Sequence, residues 1–167
     1  QIYLQRDLFH AGIRPAVDVG MSVSRVGGDA QVHAMKKVAG KLRLDLAAHR
    51  ELQDFARLGT ELDGASQRQL ERGNRMVELL KQPQFSPMTV GQQVITILAG
   101  SSGLLDDVPV ATVAKLVQDF LQWLEQEHAG VINTINEVGS LEDTLGDKIT
   151  ALLKNFKSGA GTESTNE

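Results

Sequence analysis

Residues 30–58, AQVHAMKKVAGKLRLDLAAHRELQDFARL, decide the fold class. Ala30, Val32, Met35, Val38, Ala39, Leu42, Leu46, Leu52, Phe55 and Ala56 recur at the helix period, with Gly40 the one interruption. Gly59 follows as a stop. Downstream the same period continues. A turn over 60–64 precedes a helix at about Ala65–Leu80, with Leu70, Met76, Val77 and Leu80 on its apolar side. Pro83 and Pro87 bracket a loop. A third helix is expected at about Val90–Ala99, then a loop over Gly100–Gly103. A fourth begins near Val110, with Val113, Leu116, Val117, Phe120 and Leu124 on one stripe, and continues past Gly130 to Val138. Ser140 and Asp143 resemble a capping box for a last helix that ends near Phe156. Residues 158–167 are small and polar and are expected to be disordered.

Upstream of residue 29 the texture changes. Gln1–Leu4 reads as a short strand, Arg6–Ala11 as one helical turn closed by Gly12, and Ala16–Ser24 as a second strand with period-2 alternation, ended by Gly27-Gly28. Two isolated strands are marginal in water, so this stretch reads as a sheet fragment without its partners. The expected architecture is therefore mainly α: a bundle of about five or six helices over 29–157, a short β fragment over 1–28, and a tail over 158–167.

The bulk numbers agree with a folded domain. The chain has 167 residues, 41% hydrophobic and 23% charged, with a net charge of −4 and no cysteine. The acidic balance argues against a chain built to bind nucleic acid. Without cysteine there are no disulfides and no thiolate metal sites. Apolar runs such as Val94–Ala99 are too short to span a bilayer. Gln1-Ile2-Tyr3-Leu4 lacks the basic and apolar regions of a secretory signal, and the missing initiator Met suggests a start inside a longer protein.

Little in the residues indicates chemistry. The histidines at 10, 33, 49 and 128 have no zinc spacing. Glu125 and His128 form one Glu-x-x-His pair, where a di-iron bundle needs two plus further glutamates, so no metal is expected. Neither GxxxxGK[ST] nor GxGxxG is present. Arg25 ends the second extended run and is expected on a rigid strand end. Taken on texture alone, Arg25, Arg14, Pro15, Gln82 and Gln84 are structural or loop residues.

A longer pattern adds to this. The string from Leu8 to Gly28, LFHAGIRPAVDVGMSVSRVGG, closely resembles the end of the nucleotide-binding domain of α subunits of F-type, proton-translocating ATP synthases. Ala30-Gln31, Met35–Gly40, Leu42–Leu46, Arg50–Leu52 and Leu79–Met88 continue the resemblance, which loosens after about residue 100 but stays collinear through Ile149–Lys157. The sister β subunit reads differently around the arginine and carries an acidic loop where this chain has the milder Glu61-Leu62-Asp63-Gly64. V- and A-type relatives lack the Lys81-Gln82-Pro83-Gln84 run. The family's crown barrel, phosphate loop, Mg²⁺ ligands and most sheet strands are absent, and His10, Asp18, Asp29 and His33 depart from the commonest residues.

The resemblance implies that residues 1–28 are the end of a RecA-like domain. Arg25 would act in trans on the catalytic site of a neighbouring β subunit. Arg14, Pro15, Gln82 and Gln84 would border the adenine of a regulatory, non-catalytic nucleotide. It implies ATP or ADP with Mg²⁺ as ligands of the parent complex, with none held tightly by this chain alone. The implied partners are β subunits in an alternating ring and a rotating central stalk, the γ subunit, which the Glu61–Asp63 turn would approach. Membrane association would run only through the complex, at the cytoplasmic face of a bacterial plasma membrane or the matrix face of a mitochondrial inner membrane. The competing expectations are a free-standing helical interaction module and a metal-dependent bundle enzyme.

Overall fold

The computed structural model describes residues 1–59 and 61–160. Among them are eight helices: α1 (Arg6–His10), α2 (Arg25–Ala30), α3 (His33–Arg57), α4 (Gly64–Leu79), α5 (Val90–Ser101), α6 (Val110–Glu127), α7 (Ala129–Val138) and α8 (Asp143–Asn155). A wide last turn, Phe156–Ala160, follows α8. The chain is mainly α, and α3–α8 supply the six helices of the expected bundle.

α5 is the central helix. Its VGQQVITILAGS sequence is apolar on almost every side, as a helix surrounded by others must be. Val94, Ile95 and Ala99 are buried there beside Val113, Val117, Phe120 and Leu124 of α6, Val131, Ile132 and Ile135 of α7, and Ile149 and Leu153 of α8. Gly91 lets α5 and α7 approach closely, because a Cβ there would lie 2.8 Å from the Ile132 carbonyl oxygen. The entry to α5 is a full capping box. Thr89 Oγ1 accepts from Gln92 N–H, and Gln92 Oε1 accepts from Thr89 N–H. At the lower end of the stripe predicted for α6, Phe120, Trp123 and Phe156 pack ring against ring with centroids 5.5–6.1 Å apart.

The helix stops at Gly59 and Gly139 are left-handed residues, with φ of 75° and 67°. α6 does not run unbroken to Val138. It ends at His128, whose φ of −138° lies outside the helical region, and whose ring packs edge-on against Trp123 at 4.8 Å. The capping box expected from Ser140 and Asp143 is also absent. α8 starts at Asp143 behind Glu142 with no side-chain cap, three residues later than Ser140, and the Asp143 carboxylate pairs with Lys37 of α3 at 2.6 Å. Of the tail expected to be disordered, 158–160 belong to the last turn and 161–167 lie outside the described residues.

The largest correction falls upstream. The expected β fragment is not there: no strand occurs among the described residues, and Leu4 and Val17 meet in a single antiparallel bridge. Ala16–Ser24 has no neighbouring strands to complete its ladder, and the chain satisfies its backbone locally instead. Asp18 folds the run into a turn, its carbonyl accepting from Ser22 N–H and its carboxylate from Met21 N–H. Gly27 and Gly28 do not end a strand. They lie inside α2, which Ser24 caps by accepting from Gly27 N–H at 2.9 Å.

Candidate functional site

Two places hold the residues singled out from the sequence. The first is a groove of about 1370 Å³ between α6, α4 and the 81–88 loop on one side and the 4–16 segment on the other. Arg14, Pro15, Gln82 and Gln84, sixty-odd residues apart in the chain, all line it. The backbone joins the two halves: Gln82 N–H donates to the Arg14 carbonyl at 2.8 Å, next to a cis Arg14–Pro15 bond. α1 presents Phe9, and the Arg14 guanidinium lies 4.4 Å from the centre of its ring. The cation is thereby steered by a π face while remaining exposed.

The loop between α4 and α5 is held from within. Gln82 Nε2 donates to the Ser86 carbonyl at 2.7 Å, and Gln93 Nε2 to the Met88 carbonyl at 2.9 Å. Lys81 pairs with Glu78. Phe85 takes a positive φ of 61° and is 91% exposed at the loop tip. Gln82 Oε1 and the amide of the exposed Gln84 have no hydrogen bond among the described residues. The groove floor is apolar, with Leu79, Met88, Val117 and Leu121. An apolar slot with a few amides and a proline face at one end suits a flat heteroaromatic ring whose edge both donates and accepts.

The second place is Arg25. It is the first residue of α2, not the end of a strand. It is exposed and has no hydrogen bond or ion pair among the described residues. It does not line the groove. The two sets of predicted residues therefore lie in different places.

The Glu-x-x-His pair is engaged elsewhere, with Glu125 accepting from Gln92 Nε2 at 2.7 Å and His128 packed on Trp123. Among the described residues, no helix is long and apolar enough to cross a membrane.

Residues 31–156 match the family model described as the ATP synthase alpha/beta chain, C terminal domain. The chain belongs to this family. Among curated relatives it is 52% identical to ATP synthase subunit alpha of Acidothermus cellulolyticus over 157 residues, covering 94% of this chain and 28% of that protein. The alpha subunit of a Parafrankia species is equally similar over the same shares. That of Salinispora arenicola is 54% identical over 153 residues, 92% of this chain and 27% of that protein. The chain thus corresponds to the C-terminal region of an ATP synthase α subunit and spans a little over a quarter of the length of these relatives. The preference for an α-type chain, read from the residues around Arg25 and the mild Glu61-Leu62-Asp63-Gly64 turn, agrees with them.

Sequence reasoning missed three residues of this α-subunit region. Phe9 read only as part of a helical turn, yet it supports Arg14. Asp63 read as part of a turn, yet its carboxylate accepts from Ser66 N–H at 2.7 Å to cap α4, and that bond holds its carboxyl below the ordinary range. Asp before a Gly-Ala helix start was an available signal. Asp18 gave no signal as one residue of an alternating run, yet it is 1% exposed and its carboxylate accepts from Gln5, Met21 and Arg50.

Proposed function

We propose that this chain works as part of the α subunit in a ring with β subunits, where Arg25 serves a β-subunit catalytic site in trans and the Arg14–Gln82 groove borders a regulatory nucleotide. The observation that supports this best is the separation of the two loci: four predicted base-binding residues converge on one groove, while Arg25 stands exposed, with no partner among the described residues, on another element. A buried or ion-paired arginine would already be committed to its own chain.

At the groove, Pro15 would pack on the face of an adenine and the amides of Gln82 and Gln84 would meet its edge. Arg14, already seated on Phe9, would limit where the ring lies. No phosphate loop or Mg²⁺ ligand is present in this chain, so ATP or ADP with Mg²⁺ would be anchored by other parts of the complex. The bound Mg²⁺ and phosphate loop would supply charge neutralisation of the triphosphate.

Arg25 would present a planar, permanently charged fork to γ-phosphate oxygens across the subunit boundary, where negative charge develops in the transition state. Its position at a helix start on a segment held by hydrogen bonds suits an approach from outside the site. The bundle would surround the central stalk, with the Glu61–Asp63 turn making weak, salt-screened contacts to it. Proton-coupled ATP synthesis, and attachment to the cytoplasmic or matrix face of a membrane, would belong to the whole complex.

The groove is tested by photolabelling an assembled α/β complex with an azido-adenine nucleotide. Label within residues 82–88, reduced in a Gln82→Ala/Gln84→Ala variant, is the expected result. Label confined to the β subunit contradicts the regulatory-site reading.

A further inference from the structure

We propose that Asp18 positions Arg25, by holding the 18–22 turn against Arg43 and Arg50 of α3. The proposal rests on the trans-acting role given to Arg25 above.

α2 has no buried residue. Packing therefore does not hold the helix that carries Arg25, and its place is inherited from the segments at its two ends. The upstream end is the 18–24 segment, where Asp18 gathers five hydrogen bonds from its side chain and backbone. The Asp18 carboxylate accepts from Met21 N–H at 3.0 Å, from Gln5 Nε2, and from Arg50 Nη1 at 3.4 Å. Its N–H donates to the Tyr3 carbonyl at 2.8 Å, and its carbonyl accepts from Ser22 N–H at 2.9 Å. Ser22 Oγ in turn accepts from Tyr3 N–H at 3.0 Å. Two residues on, Ser24 caps α2, and the next residue is Arg25.

The bundle grips the same turn. Arg43 and Arg50 stand two turns apart on one face of α3. Arg43 Nη2 donates to the Gly20 carbonyl at 2.9 Å, beside the Arg50–Asp18 pair. Gly20 fits closely, because a Cβ there would lie 3.2 Å from Asp18 Oδ1. Arg50 is half exposed, whereas Asp18 is 1% exposed. A buried carboxylate with several donors is costly to leave unmatched, so the turn has one low-energy arrangement. Since 1 Å of misplacement at a reacting centre can cost about 10²-fold in rate, a loosened turn reaches catalysis through Arg25.

The test uses assembled complexes of full-length α chains with their partner subunits, checked for stoichiometry. The variants are Asp18→Ala, Asp18→Asn, Arg25→Ala and Asp18→Ala/Arg25→Ala. Asp18→Ala should lower kcat by about 10- to 100-fold with KM little changed, since the loss falls in the transition state. Asp18→Asn keeps the acceptor for Met21 N–H and should recover most of it. The double variant should be no slower than Arg25→Ala, because the effect of Asp18 runs through that arginine. Equal slowing by Asp18→Ala with and without Arg25 overturns the proposal and makes the role structural. Slow Arg25→Ala with near-normal Asp18→Ala overturns it alone. Near-normal Arg25→Ala overturns the role of Arg25 and this proposal with it. If Asp18→Ala does not assemble, Arg50→Ala takes its place in the same cycle, with a several-fold loss expected only where Arg25 is present.

Discussion

Gly73 sits mid-helix in α4, where alanine would ordinarily stabilise by up to about 1 kcal/mol. Here the sign should reverse. A Cβ on Gly73 would lie 2.3 Å from His49 Cδ2, 2.5 Å from Cγ and 2.7 Å from Cβ. The last of these is fixed to the α3 backbone and cannot swing away. His49 is buried, and its Nε2 lies 2.8 Å from Asn74 Oδ1, so turning the ring would also break a part-buried hydrogen bond. Overpacking of this kind costs about 1–3 kcal/mol and the lost bond about 1 kcal/mol more. Against the propensity gain, Gly73→Ala should destabilise by roughly 1–3 kcal/mol, a fall in Tm of several degrees for a domain of this size. Gly40, in the same kind of helical position, has nothing within 4 Å of a built Cβ, and Gly40→Ala should raise stability by up to about 1 kcal/mol. Urea and thermal unfolding followed by far-ultraviolet circular dichroism compare them. His49→Ala should remove the part of the added cost due to the ring but not the part due to the shared Cβ in a double variant. A Gly73→Ala protein as stable as Gly40→Ala would show that α3 and α4 do not cross through this contact.

Three further outcomes are expected. The chain by itself should hydrolyse no ATP and bind it weakly or not at all, since the phosphate loop that anchors a triphosphate is missing; micromolar binding by calorimetry would contradict this. In a proven monomer, amide exchange at Val17–Val23 should be faster than at Leu42–Leu52, because a single bridge and a few turn bonds hold the former while a continuous helix holds the latter; equal protection would refute it. The Met21 N–H bond, aided by Arg50 and opposed by burial, holds the Asp18 carboxyl below its ordinary value. A depressed folded value means that its stabilisation is present above the unfolded value, near 3.9, and is lost as pH falls through the folded one. The stability gap between wild type and Asp18→Asn should therefore narrow on acidification below about pH 4, and a gap constant down to pH 2 would exclude the ionic role.

The bundle was largely legible because its signals are local. The stripe Val113, Leu116, Val117, Phe120, Leu124 faces the core as its spacing requires, and Gly59 stops its helix at positive φ. What failed was long-range. Asp143 reads as a capping partner, but α8 starts at it and its carboxylate pairs with Lys37, far off in sequence. Ala16–Ser24 alternates as a strand would, but alternation describes a surface and not its partner; without neighbouring strands, Asp18 and Ser24 dictate a turn and a helix instead. The convergence of Arg14 and Pro15 with Gln82 and Gln84 was expected from family resemblance, since nothing in either segment's own pattern points at the other. Arg25 was legible only by that route, and its position on a helix start was not.

The central claim is that Arg25 acts in trans on a phosphoryl-transfer site, and turnover of an assembled complex carrying Arg25→Lys tests it most directly. Lysine keeps the charge but offers a point on a flexible stem in place of a bidentate fork. Trans-acting arginines of this kind contribute roughly 10³–10⁵ in rate, or about 4–7 kcal/mol of transition-state stabilisation. The account predicts correct subunit stoichiometry, single-site nucleotide binding close to wild type, and steady-state turnover far below it, with Arg25→Ala lower still or equal. A well-assembled Arg25→Lys complex turning over within a few-fold of wild type would contradict the account.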